Sequence, residues 1–403
     1  MKKGWEIKKL SEIGKVFNGN SINEKVKKDK YLGIDNGFPF IATKDISYES
    51  VIDYDNGVKI PFEEKSSFKT APENTVLICA EGGSAGRKIG FTNQTVCFGN
   101  KLFALATNKN VDSRYVYYYY FSSTFQKHFA VELTGIIGGV SMNKFKDLEI
   151  PIPPLPEQQQ IVEFLDNAFK KINELKANAE RNLQNAKELF ESALTDELKT
   201  RKGWEEKKLG ELATFRNGMN FTRTGKGDVI QIVGVKDFQK SFWVPFDTLE
   251  TVTLDGKLNE IDLLKENDIL AVRSNGNPAL IGRTLLSGKV NGNISHSGFT
   301  IRIRLDSSII SPIYLCHYLK TQKTRKELVD SGNGVGIKSL NQGSLSSLSI
   351  PFPKSLIEQQ TIVQKLEVLS SNCQSLETNY QKTIVQCEEL KKAVLAKAFN
   401  GEL

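Results

Sequence analysis

The sequence contains few of the side chains on which disulfides, metal sites and histidine chemistry depend. It has five cysteines and three histidines among 403 residues, and no CxxC pair. Structural zinc needs close cysteine or histidine pairs, so a zinc site is not expected. Cys373 and Cys387 fall at apolar positions of a predicted helix, which indicates buried free thiols in a reducing compartment.

Long apolar segments are also missing. The chain has no run of eighteen apolar residues, so no transmembrane helix is predicted. Met1-Lys2-Lys3 is followed by Gly-Trp-Glu, without the apolar stretch of a secretory signal. We therefore expect a cytoplasmic protein of ordinary globular composition, long enough for two or three domains.

Catalytic motifs are equally scarce. The sequence has neither the Asn/Asp-Pro-Pro-Tyr/Phe motif of amino-methyltransferases nor a GxxxxGK[ST] phosphate loop, although 82–88 (GGSAGRK) is rich in glycine. Two Glu-Glu-Lys triplets, 63–65 and 205–207, match half of a nuclease metal motif. Neither has a matching acidic residue upstream, and such triplets arise by chance in a chain rich in lysine and glutamate. We expect a binding protein without a catalytic site.

The sequence instead repeats its own landmarks about two hundred residues apart. Residues 4–10 (GWEIKKL) return as 203–209 (GWEEKKL), and 150–153 (IPIP) return as 350–353 (IPFP). A Glu-Gln-Gln segment behaves in the same way: EQQQIV at 157–162 becomes EQQTIV at 358–363. This period is far longer than that of solenoid repeats, so each copy is expected to be a whole domain with an attached helix.

Between these landmarks the predicted strands correspond while the loops differ. Residues 74–77 (NTVL) are echoed by 267–270 (NDIL), but the loops after them are 81–87 (EGGSAGR) and 273–278 (RSNGNP). A shared frame with two loop chemistries is typical of two readers of two different targets. Ordinary drift after an old duplication is the alternative.

Two predicted long helices carry the same heptad pattern. Apolar residues recur at alternating spacings of four and three from Ile161 and again from Ile362, with polar breaks at Asn182 and Thr383. The matched length and phase favour an antiparallel coiled coil between the two helices, related by a pseudo-two-fold axis. Two independent helices with unrelated partners are the alternative. The predicted seam comprises Ile161, Leu165, Ala168, Ile172, Leu175, Ala179, Leu189, Ile362, Leu366, Leu369, Cys373, Leu376, Tyr380, Leu390 and Val394.

The remaining sequence predicts mixed α/β (α+β) globular parts. Strands are expected at 38–46, 75–79, 95–106 and 299–305, and helices at 113–129 and 311–328. The aromatic run 117–121 (YYYYF) is expected in a core or a domain interface, with a base-stacking platform as the alternative. The predicted domains are a globular part at 1–156, a helix at 157–200, a second globular part at 201–357 and a second helix at 358–403.

Positive charge is concentrated in the globular parts. Residues 1–156 contain 21 basic and 17 acidic side chains, and residues 201–357 contain 22 and 15, whereas the helical segments are slightly acidic. Basic domains attached to acidic helices fit polyanion binding by the domains.

The order of domain, proline-flanked Glu-Gln-Gln helix, domain and second such helix closely resembles the specificity subunit of type I restriction–modification systems. The resemblance covers the whole chain and depends on Ile150–Val162, Ile350–Val363, the two Trp-Glu starts and the terminal 398–403 (AFNGEL). It implies two target-recognition domains, each reading half of a bipartite, asymmetric site in double-stranded DNA. It also implies that the coiled coil sets the spacer and docks two methyltransferase (M) subunits, with restriction/translocase (R) subunits in the full complex.

The same resemblance implies a chain without its own catalysis or cofactor. The assembled complex would be a DNA adenine methyltransferase and ATP-dependent endonuclease, with S-adenosylmethionine, ATP and Mg bound by the partner subunits. A non-enzymatic coiled-coil scaffold whose basic domains bind proteins is the alternative function.

Residues that contact DNA are expected in the divergent loops and beside them. Arginine can form two hydrogen bonds to guanine and asparagine two to adenine, while lysine neutralises phosphate. The predicted base-reading residues are Ser84, Arg87, Lys88, Arg273, Ser274, Asn275 and Asn277, and the predicted phosphate contacts are Lys44, Lys144, Lys236 and Lys338.

Overall fold

The computed structural model describes residues 2–135, 138–221, 225–239, 241–306, 308–330 and 339–403. The chain divides into two compact units: unit 1 comprises Met1–Glu180 and Lys382–Leu403, and unit 2 comprises Arg181–Gln381. Each unit contains one globular part and a portion of each of two long helices. No helix among the described residues is long and apolar enough to cross a membrane.

Unit 1 contains short strands and helices followed by the first long helix. In chain order these elements are β1 (Glu6–Lys9), α1 (Leu10–Ile13), β2 (Gly14–Asn18), α2 (Glu24–Val26), β3 (Phe38–Ile41), β4 (Lys59–Ile60), β5 (Thr70–Ala71), β6 (Val76–Cys79), β7 (Ile89–Phe91), β8 (Val96–Phe98), β9 (Leu102–Thr107), α3 (Ser113–Tyr119), α4 (Ser123–Val131), α5 (Met142–Asp147), β10 (Glu149–Ile152) and α6 (Leu155–Glu197), which continues into unit 2. The strands form sheets in the orders β2–β9–β6–β7 and β4–β3–β8–β5, and a ribbon of β1 with β10.

Unit 2 repeats this plan. Its elements are β11 (Glu205–Lys208), β12 (Ala213–Asn217), β13 (Val229–Val233), β14 (Glu250–Thr253), β15 (Ile269–Val272), β16 (Thr284–Leu286), β17 (Ile294–His296), β18 (Thr300–Leu305), α7 (Pro312–Lys320), α8 (Gln322–Asp330), α9 (Gln342–Ser346), β19 (Ser349–Phe352) and α10 (Leu356–Asn400), which continues into unit 1. The sheets have the orders β12–β18–β15–β16 and β14–β13–β17, and β11 pairs with β19. The predicted two-copy mixed α/β architecture is confirmed.

Several predicted elements are interrupted by short breaks. The predicted strand 95–106 is two strands, β8 and β9, and only the first part of 38–46 is extended. Each predicted globular helix is also two helices, because a hydroxyl caps a new start: Ser122 accepts from the Phe125 N–H (3.2 Å) and Thr321 from the Thr324 N–H (3.3 Å). The aromatic run is mostly buried, with Tyr120 fully enclosed, so it belongs to the core.

The repeated Trp-Glu and Ile-Pro-x-Pro landmarks form the same two-stranded ribbon in each unit. Ile7 pairs with Pro151 in unit 1, and Glu206 with Pro351 in unit 2. A two-stranded ribbon tolerates proline because neither strand needs a donor on its outer side. In both units a buried tyrosine hydroxyl donates to the proline carbonyl, at 2.7 Å from Tyr115 and 2.9 Å from Tyr314.

The repeated Glu-Gln-Gln landmark joins each globular part to its long helix. Gln158 is fully buried; its amide donates to the Pro153 carbonyl (2.8 Å) and its side-chain oxygen accepts from the Asp112 N–H (2.8 Å). Gln359, also fully buried, donates to the Pro353 carbonyl (2.8 Å) and accepts from the Ser311 N–H (2.7 Å). One side chain thus satisfies backbone groups on two segments, which fixes the start of the helix against the domain.

Replacing either buried glutamine with alanine is expected to lower the free energy of unfolding by about 1–3 kcal/mol, because buried backbone groups lose their partners. Gln159→Ala and Gln360→Ala are matched controls, since these neighbours are exposed, and each should change stability by less than about 0.5 kcal/mol. Urea denaturation measures the difference. Equal effects at the buried and exposed positions would contradict the assigned role.

The long helices pair antiparallel within each unit. In unit 1 the start of α6 (Ile161, Leu165) shares a core with the end of α10 (Leu395, Phe399), and Lys176 lies 2.6 Å from Glu388. In unit 2 the end of α6 shares a core with the start of α10, and Lys365 lies 3.6 Å from Glu197. The beginning of one helix therefore lies beside the end of the other.

The contact between the helices uses mainly one of the two predicted heptad positions. Since two helices cover only a narrow stripe of each other, the second position turns outward along much of their length. Buried seam positions are Ile161, Leu165, Ile172, Ala179, Ile362, Leu366 and Cys373, and partly buried ones are Ala168, Leu369, Tyr380 and Val394. Four predicted seam residues are instead exposed: Leu175 (50%), Leu189 (52%), Leu376 (39%) and Leu390 (47%).

Candidate nucleic-acid interface

The divergent loops occupy the same place in the two units. Loop 1 (80–88) connects β6 to β7, and loop 2 (273–283) connects β15 to β16. Both leave the sheet in the same way: the Ala80 carbonyl accepts from Val140 (2.9 Å), and the Arg273 carbonyl accepts from Leu340 (2.8 Å). Equivalent backbone thus presents different side chains, as the sequence comparison predicts.

In loop 1 three of the predicted base-reading residues gather around one tyrosine. The Arg87 guanidinium donates to the Tyr48 hydroxyl (3.0 Å) and lies 5.0 Å from the centre of its ring. The hydroxyls of Tyr48 and Ser84 are 3.2 Å apart, and Lys88 donates to the Thr43 carbonyl (3.0 Å). The hydrogen bonds from Ser84 and then Arg87 lower the pKa of Tyr48 below its ordinary value. These contacts orient the arginine before any ligand arrives.

Tyr48 was not among the predicted site residues. It is 53% exposed, and nothing in the sequence around it (SYES) marks it as different from a loop aromatic. Its importance follows from a contact between residues far apart in the chain, which no local pattern reveals.

In loop 2 the two asparagines shape the backbone as well as exposing amide groups. The Asn275 side-chain oxygen accepts from the Asn277 N–H (2.8 Å), and that of Asn277 accepts from the Ala279 N–H (3.0 Å). Such turns occupy the side-chain oxygens and do not use the NH₂ groups. The Arg273 guanidinium makes no hydrogen bond or ion pair with any described part of the chain.

A cleft of about 390 Å³ brings several predicted residues of unit 2 together. Lys236, Ser274 and Asn275 line it beside Phe299. Phe299 is 61% exposed at the turn that leads into β18. At the equivalent turn into β9, unit 1 has Lys101, which lies 3.6 Å from Glu81. This position carries an aromatic ring in one copy and a cation in the other, and it was not among the predicted site residues.

The predicted phosphate-contacting lysines lie at the surface wherever the structure describes them. Lys44 and Lys236 lie in short turns. In each turn the aspartate that follows the lysine accepts a hydrogen bond from a backbone N–H, Asp45 from Ala42 (2.8 Å) and Asp237 from Gly234 (2.8 Å). Lys236 is paired with Glu250 (2.8 Å), and Lys144 with Glu132 (2.8 Å). Exposed pairs of this kind are worth about 0–1 kcal/mol, so a phosphate can replace the carboxylate at low cost. Lys338 lies outside the described residues.

The described part of the chain contains buried cysteines and buried histidines. Within the described ranges, no group of three or more His, Cys, Asp or Glu residues is arranged to hold a metal ion. All five cysteines are buried and free. Burial lowers the pKa of His296 to about 3 and that of His317 to about 4, so both are neutral near pH 7.

Comparison with known proteins identifies relatives along the whole chain. The family model described as the type I restriction modification DNA specificity domain matches residues 2–185 and 201–386. The type I restriction enzyme StySPI specificity subunit of Salmonella potsdam is 28% identical over 99% of this chain and 89% of its own length. The EcoKI specificity subunit of Escherichia coli is 24% identical, again covering 99% of this chain and 89% of the relative.

Solved structures share the fold. A chain from the type I R-M system, solved for its complex assembly and conformational transition, has a TM-score of 0.79 at 17% identity, covering 100% of this chain and 99% of that one. The HsdS subunit of Thermoanaerobacter tengcongensis has a TM-score of 0.63 at 19% identity, covering 100% and 98%. With both copies of the family domain matched in sequence, this chain belongs to the DNA specificity subunits of type I restriction–modification systems.

Proposed function

We propose that this chain reads a bipartite, asymmetric site in double-stranded DNA, with unit 1 contacting one half-site and unit 2 the other. The observation that carries the proposal is the pair of loops 1 and 2, which leave equivalent strands but differ in their side chains. A shared scaffold gives both loops a defined starting geometry, and loop chemistry gives each its own base preference.

The available side chains fit this role. Loop 1 presents Arg87, whose planar guanidinium is already oriented by Tyr48. Loop 2 presents Arg273 together with the NH₂ groups of Asn275 and Asn277, which the turn bonds do not use. Phe299 adds an apolar surface suited to a thymine methyl group. Lys44, Lys144 and Lys236 are exposed and supply positive charge for the phosphate backbone.

Catalysis is proposed to belong to other subunits. The chain lacks methyltransferase and nucleotide-binding motifs, and two of its three histidines are neutral and buried. S-adenosylmethionine, ATP and Mg are accordingly assigned to methyltransferase and restriction/translocase partners, and this chain is assigned no cofactor.

The exposed leucines of the long helices are proposed to dock the methyltransferase subunits. Unit 1 exposes Leu175 and Leu390, and unit 2 exposes Leu189 and Leu376, always at the same heptad position. One leucine pair in each unit fits two copies of one partner. Because α6 and α10 each run through both units, their length is also proposed to set the spacer between half-sites.

Arg273→Ala tests the assignment of half-sites. Loss of a bidentate contact should weaken binding by about 1–3 kcal/mol, and only for duplexes in which the second half-site is intact. Arg87→Ala is the reciprocal variant and should act only through the first half-site. The measurement is duplex binding by the chain assembled with its methyltransferase, with each half-site scrambled in turn. An equal loss on all sequences would identify Arg273 as a phosphate contact instead.

A further inference from the structure

Loops 1 and 2 are closed against a helix by equivalent contacts. Gly86 and Gly282 both have positive φ (71° and 74°), and their N–H groups donate to the carbonyls at the ends of the preceding strands, Cys79 (2.8 Å) and Val272 (3.0 Å). Gly86 faces Phe129 of α4, and a Cβ there would lie 2.7 Å from its ring. In unit 2, Gly282 faces Leu328 of α8. Although the loops differ in sequence and length, they end on the same support.

In each unit, a polar side chain from the supporting helix, α4 or α8, also contacts the loop. The Gln126 amide donates to the Gly86 carbonyl (2.9 Å) and to the Tyr120 carbonyl (2.6 Å). The Arg325 guanidinium donates to the Ala279 carbonyl (2.9 Å). The two residues occupy the same helical position, since the backbone N–H of each donates to the carbonyl of its helix cap, Ser122 or Thr321. The longer arginine serves the longer loop.

We propose that Gln126 and Arg325 are positioning residues that hold loops 1 and 2 in their reading geometry, each for its own half-site. The proposal rests on the proposed function. A loop already fixed in its bound form loses less conformational freedom when DNA binds, so a side chain that fixes it increases discrimination without touching a base.

The contacts of Gln126 and Arg325 distinguish a positioning role from direct contact with bases and from a general contribution to stability. Both side chains are half-buried and donate to protein carbonyls. The helices carrying them have other anchors that are not in contact with the loop glycines, the buried Phe125 of α4 and the buried Thr324 of α8. The Ala279 carbonyl has a second donor, Arg283, but at a longer distance (3.3 Å), so Arg325 is the closer of the two. The loss of either positioning side chain should therefore loosen a loop and leave its helix in place.

Two substitutions test the proposal in the full chain. Gln126→Glu keeps the shape but removes the donor, and Arg325→Gln replaces the long donor with the residue of unit 1. Lys127→Ala and Lys326→Ala change the exposed neighbours on the same helices and serve as matched controls. Hydrogen exchange of the loop amides and the thermal midpoint are measured in the free chain. Binding to duplexes with one scrambled half-site is measured with the methyltransferase present.

In Gln126→Glu, we expect faster exchange in loop 1 and not in loop 2, a modest fall in the midpoint because the bond to the Tyr120 carbonyl is lost as well, and about tenfold weaker discrimination of the first half-site alone. Arg325→Gln should produce the mirror result in loop 2 and the second half-site. Unchanged exchange and discrimination, or equal losses at both half-sites, would overturn the positioning role while leaving DNA reading intact. If the unsubstituted chain discriminates neither half-site, the proposed function fails and the positioning role fails with it, whatever the exchange data show.

Discussion

Glutamate at the exposed leucines of the long helices is expected to abolish assembly with the methyltransferase. A leucine side chain that becomes buried on binding contributes about 1.5–3 kcal/mol, and an unpaired carboxylate placed there adds a desolvation cost. Substituting both leucines of one unit should therefore weaken that site by about 100-fold or more. The free chain should stay folded, because these four side chains are already exposed.

The two leucine pairs should act independently. Leu175→Glu with Leu390→Glu should leave one methyltransferase bound, and the addition of Leu189→Glu with Leu376→Glu should leave none. Light scattering or native mass spectrometry of the mixture counts the bound copies. Val368→Glu and Val385→Glu are controls, since these exposed valines lie at other heptad positions of α10. Two bound copies in the four-leucine variant would show that the partner docks elsewhere.

Lengthening both helices by four residues, near Asn182 and Thr383, should lengthen the spacer. Four helical residues add roughly 6 Å and rotate the later part of each helix by slightly more than one turn, which nearly preserves the pairing of the helices. Since the rise is about 3.4 Å per base pair, the half-sites should move apart by one or two base pairs. The half-site sequences should not change, because loops 1 and 2 are untouched.

Selection from duplexes with randomised spacers measures this effect. A four-residue insertion in the linker 199–203, just after the end of α6, is the matched control and should leave the preferred spacer unchanged. If the lengthened chain still selects the original spacer, the helices do not set the distance.

The repeated landmarks could be found from the sequence, but their physical roles could not. In the sequence, Gln158 and Gln359 are recognisable only because they recur in both copies. The structure shows that each forms hydrogen bonds with backbone groups on two segments. The antiparallel pairing of the helices could be predicted, because heptad spacing and phase are local properties of the chain. Which heptad position faces the partner helix could not, and Leu175 proved to be half exposed.

In strand β18, the alternation of apolar and polar residues does not predict which side chains are buried. Its sequence, TIRIRL, reads as a strand with arginines on the solvent side, yet Arg302 is 4% exposed. Its guanidinium donates to the Ile261 carbonyl (2.8 Å), and Arg304 makes two bonds of 2.7 Å to Asp268. Buried arginine is tolerated only where the fold supplies such acceptors. Strand β9, the equivalent strand of unit 1, has alanines at these positions. Comparison of the two copies therefore does not reveal the buried arginines either.

The candidate site likewise has one part that the sequence predicts and one part that it does not. The divergent loops were visible as breaks in an otherwise repeated sequence, and Arg87 and Arg273 follow from them. Tyr48, Phe299 and the supporting Gln126 and Arg325 were not predicted, because each acts on residues distant in sequence. The proposed reading surface therefore depends on contacts that only the folded chain reveals.

If the two units carry different reading loops, they should recognise two different half-sites. The most direct test is sequencing of modified adenines in the DNA of cells that contain this chain and its methyltransferase. We expect one asymmetric motif made of two unlike half-sites separated by a spacer of fixed length. A single contiguous motif, or two identical half-sites, would contradict it.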